Sequence, residues 1–167
     1  CVIKGLSQLF DLKLSLSTME SLAAELGSDT AFFVADRPAL ATGRGEILSP
    51  IELSMKGYRM VIVKPNVGVS TAEAYAHVTP HVPETALTEQ LVQPVELWKD
   101  VIGNDFEMSV FPQYPQIAEI KQQLYEMGAL YASMSGSGSA VYGIFSGDRG
   151  VVQADFSDCF VYQEDMA

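Results

Sequence analysis

Three segments of the chain bring together residue types suited to hydroxyl or phosphate chemistry. In Leu26-Gly27-Ser28-Asp29-Thr30-Ala31-Phe32-Phe33 a carboxylate follows a helix end and stands beside two phenylalanines. Partly shielded from water, such a group can take the proton of a hydroxyl as that hydroxyl attacks phosphorus. The same position suits a cap, with Asp29 accepting amides of the next turn, and the local pattern alone favours the cap. In Ser133-Met134-Ser135-Gly136-Ser137-Gly138-Ser139 the glycines leave successive amides bare enough to form an anion-binding concavity. No Lys-Ser/Thr pair follows, so this is not a Walker loop, and alone it also reads as a simple turn. In Val67-Gly68-Val69-Ser70-Thr71-Ala72-Glu73-Ala74-Tyr75 a strand exit feeds a helix. The Ser70 and Thr71 hydroxyls can meet an anion, and Tyr75 offers a flat face to a base. The competing reading is an ordinary cap and a core tyrosine.

Other chemistry finds little support. His77 and His81 are four apart, but Pro80 breaks the helix between them and no third metal ligand stands nearby. Neither histidine belongs to a Ser-His-Asp or Cys-His arrangement. Acidic residues outnumber basic ones 21 to 10, for a net charge of −11. Such a surface repels nucleic-acid backbones and anionic lipid headgroups. No apolar stretch approaches the roughly 18 residues that span a bilayer. The two cysteines, Cys1 and Cys159, make no disulfide framework and fit a reducing compartment, so a cytoplasmic location is expected. With 48% hydrophobic and 19% charged residues, the chain has the balance of a folded globular protein.

The elements that must position these residues follow from periodicity. Val2, Leu6, Leu9 and Phe10 recur at helical spacing from the first residues, which predicts a helix already under way and an N-terminal portion before Cys1. Ser17 and Glu20 have the spacing of a capping box for a second helix with Met19, Leu22, Ala23 and Leu26 on one stripe. Gly27 stands where a left-handed cap is expected. Ala39–Thr42 and Ile47–Leu48 flank Gly43-Arg44-Gly45 as a hairpin, and Pro50–Gly57 reads as a boundary. A β-rich run, Tyr58–Val63, precedes a helix capped by Ser70 and stopping near Pro80. Pro94 opens a helix with Val95, Trp98, Val101 and Ile102 on one face, closed by Gly103. Asn104 caps a short helix, and Pro115 opens a longer one carrying Ile117, Ile120, Leu124 and Met127 up to Gly128. Strands are expected at 129–134, 140–145 and 156–162. The fold class is therefore α+β: a short first unit over residues 1–56, then a split βαβ plait over 57–167 with its last crossover, 146–159, shortened.

Taken in order, four segments resemble the GHMP small-molecule kinases, within them the branch acting on 4-diphosphocytidyl-2-C-methyl-D-erythritol. They are Leu26–Phe33, Ala41-Thr-Gly-Arg-Gly-Glu-Ile-Leu-Ser-Pro50, Val69-Ser-Thr-Ala-Glu-Ala-Tyr75 and Met134-Ser-Gly-Ser-Gly-Ser-Ala-Val-Tyr142. Asn104-Asp105-Phe106-Glu107 also matches that branch, and the likeness runs from the first helix to about Phe145. The resemblance implies transfer of the ATP γ-phosphoryl group, with Mg²⁺, to the C2 hydroxyl of the cytidyl-diphosphate methylerythritol, in the non-mevalonate route to isoprenoids. It implies Asp29 as catalytic base and Thr71 and Tyr75 on the substrate side, with Tyr75 stacking on cytosine. Ser135, Gly136, Ser137, Gly138 and Ser139 would brace the phosphate region, and Arg44 and Glu46 would hold structure. It also implies a ribosomal-S5-like N-terminal unit, of which residues 1–56 are the end, packed on a ferredoxin-like C-terminal domain. The family's loop of the form Pro-x-Gly-x-Gly-Leu-Gly-Gly-Ser-Ser, its N-terminal Lys and its cytosine-recognising aromatic and His are absent from the 167 residues. They are expected in roughly 100 residues ahead of Cys1, so the chain alone is expected to be silent and, with apolar surface uncovered, to self-associate. The alternatives are another GHMP kinase, for homoserine, mevalonate or a sugar, and a non-catalytic binding domain built on the plait.

Overall fold

The computed structural model describes residues 2–147, 149–150 and 156–166, and the side chain of Ser28 is not among them. Cys1 and residues 148 and 151–155 of the expected shortened crossover therefore lie outside the described residues. The chain divides into two units, Cys1–Leu53 and Ser54–Ala167.

In the first unit, α1 (Val2–Leu9) is followed by α2 (Leu16–Leu26), with Asp11 and Lys13 between them in left-handed conformation at φ 47° and 50°. The expected capping box does not form. α2 starts earlier, at Leu16, because Ser15 in extended conformation is the N-cap and its side chain accepts the Thr18 N–H at 3.1 Å. Ser17 lies inside the first turn. Gly27 closes α2 by donating its N–H to the Ala23 carbonyl, but with φ 174° it is extended rather than left-handed. Thr30 completes that C-terminus, its hydroxyl donating to the carbonyls of Ala23 and Gly27. A 3-10 turn (Ser28–Ala31) and α3 (Phe32–Ala35) follow, then the hairpin β1 (Ala39–Thr42) and β2 (Ile47–Pro50), paired Ala39 to Pro50 and Thr42 to Ile47. Ala23, Ala31 and Val34 are buried, whereas Val2, Leu9, Phe10 and Leu26 of the expected apolar stripes are exposed.

The second unit is built on β3 (Tyr58–Pro65), β4 (Tyr131–Met134), β5 (Val141–Ser146) and β6 (Cys159–Asp165). Their order is β4-β5-β3-β6 and every neighbouring pair is antiparallel. Each crossover thus straddles a strand: β5 lies between β3 and β4, and β3 lies between β5 and β6. That is the split βαβ plait expected from the element order. Between β3 and β4 run α4 (Thr71–Ala76), α5 (Leu87–Leu91), α6 (Val95–Val101), α7 (Glu107–Val110) and α8 (Pro115–Glu126). The period of two on the strands puts Val61 and Val63, Val141 and Phe145, and Ala132 and Met134 on one face. They share a core with Ile117, Ile120 and Leu124, the stripe of α8 set by its 3.6-residue period. Burying each of the Val, Ile, Leu, Met and Phe side chains contributes about 1.5–3 kcal/mol. α8 ends as its glycine predicts, Gly128 having φ 97°.

Three boundaries depart from expectation. α4 stops at Ala76, not near Pro80, with His77 as its C-cap. α6 ends at Val101, and Ile102 is already extended, one residue ahead of Gly103. β6 starts at Cys159, not at residue 156, because Phe156 is buried in the core ahead of the strand. The register of β6 is fixed at its far end, where Arg59 holds Asp165 by two hydrogen bonds of 2.7 and 3.0 Å.

Candidate functional site

The glycine-serine loop leaves the end of β4 and enters β5. Its base is closed by the Ser135 N–H on the Ala140 carbonyl at 2.8 Å and the Gly138 N–H on the Ser135 carbonyl at 3.2 Å. Gly136 turns the chain with φ 55°, a conformation that favours glycine. Ser135 and Gly136 are exposed, Ser137 and Gly138 half-buried, and Ser139 buried.

The turn before α7 braces this loop. The Asn104 side-chain amide donates to the carbonyls of Met134 at 2.8 Å and Gly136 at 2.7 Å, and its oxygen accepts the Phe106 N–H at 3.0 Å. Glu107 takes the Met134 N–H at 2.9 Å and the Ser133 hydroxyl at 3.2 Å on one carboxylate oxygen. Its other oxygen accepts from the Lys121 ammonium at 2.6 Å, in a pair whose side chains are only 13% and 23% exposed. Asn104 does not cap α7 as expected, since the N-cap is Phe106 with no side-chain bond; its oxygen closes the turn just ahead of the helix instead. Its grip on the loop, and the whole part of Glu107 and Lys121, were missed. The match of Asn104–Glu107 to the kinase branch was the one signal pointing there. Asn104, Phe106, Ser133, Met134 and Gly136 border a cleft of about 480 Å³ lined also by Tyr131 and Tyr142. Burial pushes both phenols above their ordinary range.

On the substrate side, Tyr75 is not the core tyrosine of the competing reading. It is 61% exposed and packs edge-on against Phe106, ring centroids 4.7 Å apart. Thr71 and Ser70 are exposed at the start of α4, where the Ser70 N–H already meets the Glu73 carboxylate at 3.4 Å. Glu73 also accepts the Tyr114 hydroxyl at 3.0 Å, and its carbonyl accepts from Ser109 at 3.2 Å, which ties α4 to α7. The structure thus brings Tyr75, Phe106, Asn104 and the 135–139 loop into one continuous set of contacts. His77 and His81 line a separate pocket of about 290 Å³ with Asp105 and Met108.

Asp29 belongs to the first unit, on the 3-10 turn after α2. Contrary to the expected shielding, it is exposed, and Phe32 and Phe33 beside it are 37% and 63% exposed. The short helical turns bury Ala31 and Val34 instead, which rotates both phenylalanines outward. The Asp29 carboxylate lies against Gly45, which has φ 106° and no side chain to obstruct it. Around that glycine, Glu46 accepts the Arg44 N–H at 2.7 Å. Hydrogen bonds from its own backbone amide and from that of Arg44 hold the Glu46 carboxyl below its usual range.

A family model described as "GHMP kinases C terminal" matches residues 88–160, from α5 into β6. A 4-diphosphocytidyl-2-C-methyl-D-erythritol kinase of Bacteroides fragilis is 48% identical over 165 residues, covering 99% of this chain and 60% of the relative. Residues 88–160 belong to the GHMP kinase C-terminal family. The enzyme of the same name from Bacteroides thetaiotaomicron is 51% identical over 155 residues, covering 93% of the chain and 57% of the relative. A crystal structure of 4-(cytidine 5'-diphospho)-2C-methyl-D-erythritol kinase superposes with a TM-score of 0.74 at 28% identity, over 95% of this chain and 59% of that one. The chain therefore spans about 60% of the length of the relatives it matches.

Proposed function

We propose that the chain is the C-terminal part of a kinase that transfers the γ-phosphoryl group of ATP to the C2 hydroxyl of 4-diphosphocytidyl-2-C-methyl-D-erythritol. The observation that carries this reading is the 48–51% identity to kinases of that name, sustained over 93–99% of the chain. Residues 1–56 are the end of an ATP-binding, S5-like domain and residues 57–167 the GHMP C-terminal domain. Phosphoryl transfer depends on positioning and on neutralising charge. In this reading Asp29 takes the proton of the C2 hydroxyl as the new O–P bond forms. The γ-phosphorus leaves the β–γ bridging oxygen, and ADP departs with the electron pair. The 135–139 loop turns amides toward the phosphates, and Tyr75 offers its exposed face to cytosine, with Thr71 beside it. Magnesium screens the triphosphate charge when bound, and it ordinarily relies on the phosphates and waters with one or two carboxylates.

The family's glycine-rich loop and lysine are not among the 167 residues, so the chain alone turns over no ATP in this reading. The test joins the N-terminal segment of the Bacteroides fragilis relative to this chain and measures ADP release with the cytidyl substrate. The fusion is expected to be active and selective for that acceptor over homoserine, mevalonate and sugars. Asp29→Asn in the fusion is expected to lower turnover by about a hundredfold or more with amide exchange across the Thr42–Ile47 pair of the first unit unchanged. Normal turnover in that variant excludes Asp29 as the base.

A further inference from the structure

We propose that Asn104 is a positioning residue for phosphoryl transfer, one side chain that aims the amides of the 135–139 loop while backing the aromatic platform at Tyr75. The inference rests on the kinase reading above and extends it to a residue outside the four motifs. An asparagine amide has two N–H donors and one acceptor oxygen, and all three are used here. The donors go to the Met134 and Gly136 carbonyls, and the oxygen takes the Phe106 N–H. A trans peptide is planar, with its C=O and the following N–H pointing in opposite directions. Drawing the Met134 carbonyl toward Asn104 therefore turns the Ser135 N–H away from it, and that N–H is found on the Ala140 carbonyl at 2.8 Å. Drawing in the Gly136 carbonyl likewise sends the Ser137 N–H to the opposite side of the loop. Asn104 thus decides which face of the loop carries donors. Through its oxygen the same side chain fixes Phe106, whose ring supports Tyr75 at 4.7 Å.

Two substitutions separate aiming from turn closure. Asn104→Asp keeps an oxygen for the Phe106 N–H, since aspartate accepts such an amide as well as asparagine, but it turns a carboxylate toward two carbonyls. Asn104→Ser keeps a shorter acceptor and has no donor that reaches both carbonyls. In the active fusion, both are expected to lower kcat about tenfold or more while KM for the cytidyl acceptor stays within about twofold, because Tyr75 keeps its support. In the 167-residue chain, the Ser135 and Gly138 amides are expected to exchange with solvent about tenfold faster, with the β3–β5 ladder unchanged. Wild-type kcat in both variants overturns the proposal, leaving Asn104 a turn closure only and the kinase reading intact. Equal losses in kcat and in acceptor binding overturn it too, since a general loosening of the domain explains them. A wild-type fusion without ATP turnover instead overturns the kinase reading itself, and the catalytic role of Asn104 with it, whatever the exchange rates show.

Discussion

Replacing Glu107 by Gln changes one oxygen for an NH2 group, yet the contacts of Glu107 make that a demanding change. The Gln oxygen can still accept from Met134 and Ser133, but its amide nitrogen then faces the Lys121 ammonium, where a carboxylate oxygen sat at 2.6 Å. Breaking a fully buried ion pair costs about 3–5 kcal/mol, because the surviving charge is left without its partner or water. Lys121 is 23% exposed, so solvent recovers part of that, and we expect about 2–3 kcal/mol for Glu107→Gln. Lys121→Met keeps the stem near Phe111 and leaves the carboxylate its two other donors, so its cost is smaller, about 1–2 kcal/mol. The double variant strands no charge, and its cost is expected to fall short of the sum by about 1–2 kcal/mol. Trp98 is the sole tryptophan, is 5% exposed and belongs to the second unit, so its fluorescence in urea follows that unit alone. With a slope of about 1–3 kcal/mol per molar urea, Glu107→Gln moves the midpoint down by about 1–2 M. A shift under about 0.3 M, or strict additivity in the double variant, would refute the claim that this pair is energetically coupled.

Gly45→Ala places a methyl group on the Asp29 carboxylate at φ 106°, and is expected to cost the first unit about 1–3 kcal/mol. Amide exchange across the Thr42–Ile47 pair reads this out, and unchanged protection there counts against the close packing of Asp29 on the turn. Two exposed carboxylates should titrate low: Asp165, held down first by its hydrogen bond from Arg59, and Glu46, held down by backbone amides. A depressed folded value means stabilisation that is present above the ordinary carboxylate range and lost as pH falls through the folded value. Carboxyl NMR titration measures both, and a midpoint for Asp165 at or above about 3.9 contradicts the Arg59 contact.

Much of the fold was legible because its signals are local. The stripe on α8, the proline that opens it and the glycine that ends it all lie within one stretch of sequence, and the structure follows them closely. The plait order followed from the succession of strands and helices. The errors arose where neighbouring positions carried equivalent signals. Ser15 and Ser17 can each cap a helix, and only the backbone of Ser15, extended at ψ 158°, decides between them. The tail 156–162 looks like one strand, but core burial claims Phe156 and pairing with β3 then starts at Cys159. At the candidate site the loop, Thr71 and Tyr75 were legible as types. The brace was not, since Asn104 and Glu107 reach partners on β4 and the loop 26 to 32 residues away, and no periodicity encodes such a bond.

The brace matters because a glycine-serine loop is expensive to order. Fixing the five residues 135–139 costs about 1–2 kcal/mol of backbone entropy each, or about 5–10 kcal/mol in all. Against this stand four neutral hydrogen bonds: two from Asn104, the Ser135–Ala140 closure and the Gly138–Ser135 turn. At about 0.5–1.5 kcal/mol each, with about 1.5–3 for the charged Glu107 contact at the Met134 N–H, they return about 4–9 kcal/mol. The two sums nearly cancel, so the loop is ordered with little margin. Losing the Asn104 donors then releases the loop while the sheet beneath it stays folded, because Val141 and Met134 remain paired and buried. Losing Glu107 acts on both, since it is tied at once to the end of β4 and, through Lys121, to α8. A substitution at Asn104 should thus appear in the loop and in turnover without a stability change of equal size. One at Glu107 should appear in the unfolding midpoint as well, and that contrast is what separates a brace from a mere piece of the core.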